Sequence, residues 1–193
     1  ACPCAAPDAL VWAARRAGRA AMLRRFGADE ESIIRVLTNL ANTYGLLGRH
    51  EDALRIQIDV YSENLKLKGE EHRDTVLAIN NYALSLARLL RFEEAKALLR
   101  KAIPVAQRGF GENDELTIRM RWTYAGMLIT DDGTLDNCRE AVTTYEDIER
   151  IARRVFGSAH PLTTKIEVSL QEARAVLRAR ETQPAEDPAE EVD

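Results

Sequence analysis

The 193-residue chain has little of what most function classes require. Glycine (10) and proline (6) are scarce and runs of β-branched residues are absent, which excludes a turn-rich β architecture and leaves helices. No stretch approaches the roughly 18 consecutive apolar residues of a membrane span. The opening ACPCAAPD has neither an initiator Met nor the charged-then-apolar layout of a secretory leader, a start expected of a fragment. The cysteines (Cys2, Cys4 and Cys138) are odd in number and lack framework spacing. Cys2 and Cys4 straddle Pro3, too short a loop for a relaxed disulfide, so residues 1–7 read as a disordered terminus and a reducing, cytoplasmic setting is expected.

Chemistry is equally sparse. His50, His72 and His160 fall at corners and helix starts, far apart, with no Cys, Asp or Glu at ligand spacing, so neither metal nor cofactor is expected. Glu70-Glu71 and Glu93-Glu94 read as solvated corner acids rather than acid/base pairs. The glycines stand singly and build no phosphate-cradling loop, and no nucleophile–base arrangement is present. No catalysis is expected. The formal charge is −4, but residues 181–193 carry six acids and no base, which leaves the body at about +2. Such a body lacks the basic stripe that nucleic acid requires.

What the chain does have is a period. Glycine stops fall at Gly27, Gly69, Gly111 and Gly157, at intervals of 42, 42 and 46, three of them preceded by Phe and one by Lys68. A second marker, Ala53, Ala95 and Ala141, repeats the 42 and the 46. The four extra residues lie in the turn-rich segment Asp131-Asp132-Gly133-Thr134-Leu135-Asp136, where insertion costs little. Apolar residues spaced by three and four predict amphipathic helices at about 29–47, 50–68, 73–89, 92–109, 114–130, 136–155 and 161–181. Pro104 falls inside the fourth and predicts a kink near Lys101 to Pro104, or a helix end followed by a short second piece.

Small residues recur as Ala41, Ala83 and Ala125 in the first helix of each pair, facing Ala53, Ala95 and Ala141 in the second. They would let paired helices approach closely, while Leu40, Tyr82, Tyr124, Tyr44, Leu86 and Leu128 fill the layers between pairs. Units of this kind cannot bury their apolar faces alone, so they stack into an all-α solenoid of antiparallel helix pairs. The expected division is an N-terminal helix at 8–26, repeats at 27–68, 69–110 and 111–156, a polar capping helix at 157–181 and a disordered acidic tail at 182–193. In the N-terminal helix, Asp8 would cap and Gly27 stop. Its Arg15, Arg16, Arg19, Arg24 and Arg25 read as a solvated face.

The order Leu40-Ala41, Tyr44, then Gly48-Arg49-His50 and Ala53 resembles the tetratricopeptide repeat family. The 42-residue unit resembles more closely the repeats of kinesin light chains, through Ile79-Asn80-Asn81-Tyr82-Ala83, Phe92-Glu93-Glu94-Ala95 and Gly157-Ser158-Ala159-His160-Pro161. HEAT and armadillo repeats share the period range but fit the paired alanines less well. The resemblance covers about residues 26 to 175 and implies a right-handed superhelix whose first helices line a concave groove for a protein or peptide partner.

The inward-facing set is then Arg35, Thr38, Asn39 and Asn42; Asn80, Asn81, Leu84 and Arg88; and Arg119, Trp122, Thr123 and Gly126. Asn39 and Asn81 are 42 apart, and the resemblance implies that they contact peptide backbone, which an amide can hold whatever the side chains. Arg35, Arg88 and Arg119 would make the groove mildly cationic, suited to an acidic motif or a terminal carboxylate; pairing with Glu on the next repeat is the alternative. Trp122 reads either as an anchor for a partner side chain or as core filler. The function expected is a non-catalytic cargo- or adaptor-type interaction module. Its rivals are a regulatory or sensor segment of a larger enzyme or signalling ATPase, and a helical-repeat RNA binder.

Overall fold

The computed structural model of the chain describes residues 29–130 and 134–182, with residues 18, 21, 25 and 27 besides. Seven helices follow one another in the two long stretches: α1 (Glu30–Leu46), α2 (His50–Lys68), α3 (Arg73–Arg88), α4 (Phe92–Phe110), α5 (Glu115–Thr130), α6 (Leu135–Phe156) and α7 (Pro161–Thr182). Their ends fall within a residue or two of those read from periodicity. The helix expected over 8–26, the Cys2-Pro3-Cys4 start, residues 131–133 of the insertion and the tail beyond Thr182 lie outside the described residues.

Each helix begins and ends for local reasons. The side chains of Asp29, His72, Asp114 and His160 each accept a backbone N–H from the first turn that follows: Ser32 at 2.6 Å, Asp74 at 3.2 Å, Leu116 at 2.9 Å and Leu162 at 3.2 Å. These caps satisfy donors that the helix itself leaves unpaired. Two of the three histidines are thereby N-caps, a role in which Nδ1 must act as an acceptor. Gly69, Gly111 and Gly157 close α2, α4 and α6 with φ of +85°, +89° and +87° and ψ of 172°, 166° and 164°. That backbone region is essentially restricted to glycine, which is why the stop recurs at every period.

The corners between α1 and α2 and between α3 and α4 use a second device. Arg49 N–H bonds back to the Tyr44 carbonyl at 2.9 Å, and Arg91 N–H to Leu86 at 3.0 Å, the six-residue closure of a Schellman turn. Such a turn needs positive φ at the residue before. Gly48 supplies it at +74°, but one period later the position is Leu90, at φ +60° and 76% exposed.

The alanines are where close packing requires them. Ala41, Ala53, Ala83, Ala95, Ala125 and Ala141 are all buried, and so are Leu86 and Leu128 between layers. Every helix packs on the next, and α3 also touches α5, and α5 touches α7. The result is an all-α helical-repeat solenoid. One core runs from Leu54 of α2 through α7, with Leu99, Ile118, Met120, Ile148 and Ile166 fully buried within it. A smaller cluster of Ala41, Ile56, Val60 and Ala78 sits beneath α1, which approaches α3 less closely than α3 approaches α5.

Pro104 does not end its helix, and α4 continues through it to Phe110. Pro104 and Arg100 are both exposed, so the Arg100 carbonyl that lacks a donor lies toward water, on the side where helices tolerate lengthened bonds.

Leu90 is the one described non-glycine residue at positive φ, and its side chain is largely in solvent. Left-handed backbone costs an L-residue about 1–2 kcal/mol, against about 0.5–1 kcal/mol for the extra freedom of an unfolded glycine. Leu90→Gly should therefore raise stability by a few tenths to about 1 kcal/mol in urea unfolding. A loss of stability would mean that the leucine side chain contributes packing here.

Candidate functional site

Three helices meet at a cavity of about 290 Å³ on the α1–α3 side of the stack. From α1 come Glu31, Ile34, Arg35, Thr38 and Asn39, spaced by three, one, three and one, a single helix face. From α3 come Asp74, Leu77, Ala78 and Asn81, the same pattern on the opposite wall. Between them α2 offers Val60, Asn64 and Lys68, one helical turn apart. Ile34, Val60, Leu77 and Ala78 provide an apolar lining under a polar rim.

The rim is organised by Lys68. Its Nζ lies 2.7 Å from Asp74 Oδ2 and 2.9 Å from Glu31 Oε1, tying the first turns of α3 and α1 to the end of α2. Asp74 first, then Glu31, hold its ammonium above the ordinary lysine range. Arg35 adds a second cation, its Nη2 donating to Ser32 Oγ at 3.3 Å. Two carboxylates and two cations therefore balance around the opening. Asn64 is 3% exposed; its Nδ2 donates to the Val60 carbonyl at 3.0 Å, and among the described residues its Oδ1 has no partner.

Of the inward-facing residues expected from sequence, Arg35, Thr38, Asn39 and Asn81 come together on this cavity. The others do not line it. Asn42 is exposed elsewhere on α1, Asn80 is buried, and Leu84 is partly exposed. The Arg88 guanidinium packs over Gly45, so closely that a Cβ there would collide with it. Arg119 is engaged within its own helix by Glu115, at 3.0 and 2.6 Å. Thr123 is buried, with its hydroxyl donating to the Arg119 carbonyl at 2.9 Å.

Trp122 is half-buried, and its indole N–H donates to Ser169 Oγ on α7 at 3.0 Å. Ser169 also hydrogen-bonds the Tyr145 hydroxyl of α6. The hydroxyl stands where a Cβ on Gly126 would meet it at 3.3 Å. Three helices are thus joined through one serine. Lys68 and Asn64 were absent from the sequence-derived set because second helices were read as packing helices. The period held a signal for both: Asn64 stands where Ala106 and Ala152 stand in later units, and Lys68 where Phe110 and Phe156 stand.

Among the described residues no helix is long and apolar enough to cross a membrane, and no cluster of His, Cys, Asp and Glu could hold a metal ion.

Burial of the Tyr145 hydroxyl pushes its pKa up to about 12, although the Ser169 hydrogen bond favours the ionised form. Below pH 10 the group is protonated folded or unfolded and adds no pH dependence. Above it the unfolded chain ionises first, so stability falls as pH rises to about 12. Relative to Tyr145→Phe, wild type should lose up to about 3 kcal/mol between pH 9 and 12, measured by urea unfolding. A constant difference between the two proteins would contradict the burial.

Comparison with known proteins shows what this arrangement is similar to. Residues 33–74 and 75–115 each match the tetratricopeptide repeat. No curated protein matches the sequence. Among solved structures, a Podosopora anserina protein described as a kinesin light chain with nearly identical TPR-like repeats is similar. The TM-score is 0.67 at 19% identity, over 83% of this chain and 82% of that one. BtubC (BKLC) from P. vanneervenii is similar with a TM-score of 0.51 at 16% identity, over 86% of this chain and 72% of that one. Residues 33–115 are therefore two consecutive tetratricopeptide repeats, and the solenoid to which they belong has the fold of kinesin light chain-type repeats.

Proposed function

We propose that the chain is a non-catalytic interaction module that holds a segment of a partner protein in the groove lined by α1, α3 and α5. Tetratricopeptide repeats as a family mediate protein–protein interaction, which supports a protein partner. The observation that carries the groove is the pairing of Asn39 and Asn81. They sit one period apart, on adjacent first helices, and line the same cavity. Two amides at a repeated position can each donate to and accept from a polypeptide backbone, which gives register without reading side chains.

The cationic contribution to this groove is smaller than the count of arginines implies. Arg119 is neutralised by Glu115, and Arg35 shares its cavity with Glu31 and Asp74. An acidic motif in the partner would therefore find its charge complement chiefly at Arg88, outside the balanced rim. Solvent-exposed pairs of this kind contribute at most about 1 kcal/mol each, so the backbone hydrogen bonds and anchored side chains dominate affinity.

The test is a pull-down with wild type and with Asn39→Ala/Asn81→Ala, each shown to be folded by its unfolding midpoint. Both asparagines are at least partly exposed, so the double variant should fold normally and recover little of the partner. Undiminished recovery by the folded double variant would remove these residues from the binding surface.

A further inference from the structure

The helices α1, α3, α5 and α7 repeat the same positions along one face, and α3 departs from the other three at two of them. At the first, α1, α5 and α7 have Arg35, Arg119 and Lys165, whereas α3 has Leu77. At the second they have Asn42, Gly126 and Glu172, whereas α3 has Leu84. Both leucines meet solvent, at 44% and 37% exposed. Neither is needed to build a repeat, because the other units are built with a polar residue or glycine in its place.

Leu77, Asn81 and Leu84 stand four and three residues apart, a single stripe along α3. Along the helix axis Leu77 lies about 6 Å to one side of Asn81 and Leu84 about 4.5 Å to the other. Leu77 opens onto the cavity lined by Ile34, Val60 and Ala78, and Leu84 lies beyond it. An extended segment that crosses α3 and pairs its backbone with the Asn81 amide presents its hydrogen-bonding edge to that side chain. Its successive side chains leave the backbone on opposite sides, at right angles to that edge. They are therefore directed along α3, one toward Leu77 and the next toward Leu84.

We infer that the groove selects two adjacent apolar residues of an extended bound segment, one entering the cavity beside Leu77 and the next covering Leu84. The inference rests on the groove reading above. The exposed leucines specify the chemistry of the pair. A polar or charged side chain at either place would give up water against leucine without gaining a partner. An apolar one removes both its own surface and that of the leucine from water. Asn39 and Asn81 specify the conformation. A helical segment spends its backbone groups on itself and has none to offer the two amides, whereas an extended one has both donors and acceptors free. Adjacency then follows from the period of two, since only neighbouring residues point to opposite flanks of Asn81 at one crossing of α3.

The test is selection of a phage-displayed random dodecapeptide library on the full chain, followed by binding measurements with a synthetic selected peptide. The expected result is two adjacent large apolar residues at a fixed place in the selected sequences. Binding should weaken about tenfold when either is replaced by Ser. Leu77→Arg and Leu84→Asn install the residues that α1 carries at these positions, and so should fold. On Leu77→Arg the peptide should lose its sensitivity to Ser at one member of the pair, and on Leu84→Asn at the other. Selected peptides without an adjacent apolar pair, or with apolar residues spaced by three and four as on a helix, would overturn the inference. So would a Ser penalty that either variant leaves unchanged at both members. If those peptides still depended on Asn39 and Asn81, the groove reading would survive. A library from which nothing is enriched would overturn both.

Discussion

The structure depends on how closely paired helices can approach over their buried alanines. Ala83 and Ala95, Ala125 and Ala141, and Ala41 and Ala53 are buried within their pairs, and larger side chains at those positions would hold the helices apart. Close pairs leave their bulk to be filled between layers, which is the work of Leu86, Leu128, Tyr82 and Tyr124. Interlayer residues have no partner until the next pair arrives. Stability is therefore a property of neighbours, as in other helical repeats. Polar links reinforce the layers at their edges. Arg100 of α4 donates to the Tyr124 hydroxyl at 2.9 Å, which donates to Glu140 of α6 at 2.8 Å, and Arg73 reaches Asp114 one period on at 2.8 Å.

Departures from the period are where the molecule becomes specific. At the C-terminal end, Trp122, Ser169 and Tyr145 fasten α5, α6 and α7 to one another, so the indole is committed to the last helix pair. At the N-terminal end, Asn64 and Lys68 replace small and aromatic residues, α1 stands off from α3, and a polar cavity occupies the gap. The core divides at the same place into a large cluster and a small one. Among the described residues, one end of the solenoid is closed by packing and the other holds the cavity.

Much of this architecture was legible in the sequence because it rests on spacing. Helix limits follow from glycines whose backbone angles other residues avoid, and from caps such as Asp29 and Asp114. The alanine register follows from the period itself. The site was legible only along one face. Arg35, Thr38, Asn39 and Asn81 share the heptad-like pattern that the walls present, whereas Asn80 is one residue from Asn81 and so turned about a quarter-turn away, into the core. Arg119 could not be assigned from a list of arginines, since its partner Glu115 lies on its own helix. Asn64 and Lys68 were hidden by the assumption that second helices only pack. Comparing each position with its counterparts one period on exposes them, since a buried polar residue where others have alanine or phenylalanine needs a reason.

The close approach of paired helices is tested most directly by equilibrium urea unfolding of Ala83→Leu beside Ala97→Leu. Ala83 is fully buried in its pair, whereas Ala97 lies exposed on α4. The account predicts a loss of about 1–3 kcal/mol or more for the first and little change for the second. Equal effects at the two positions would mean that the helices do not need alanine to meet.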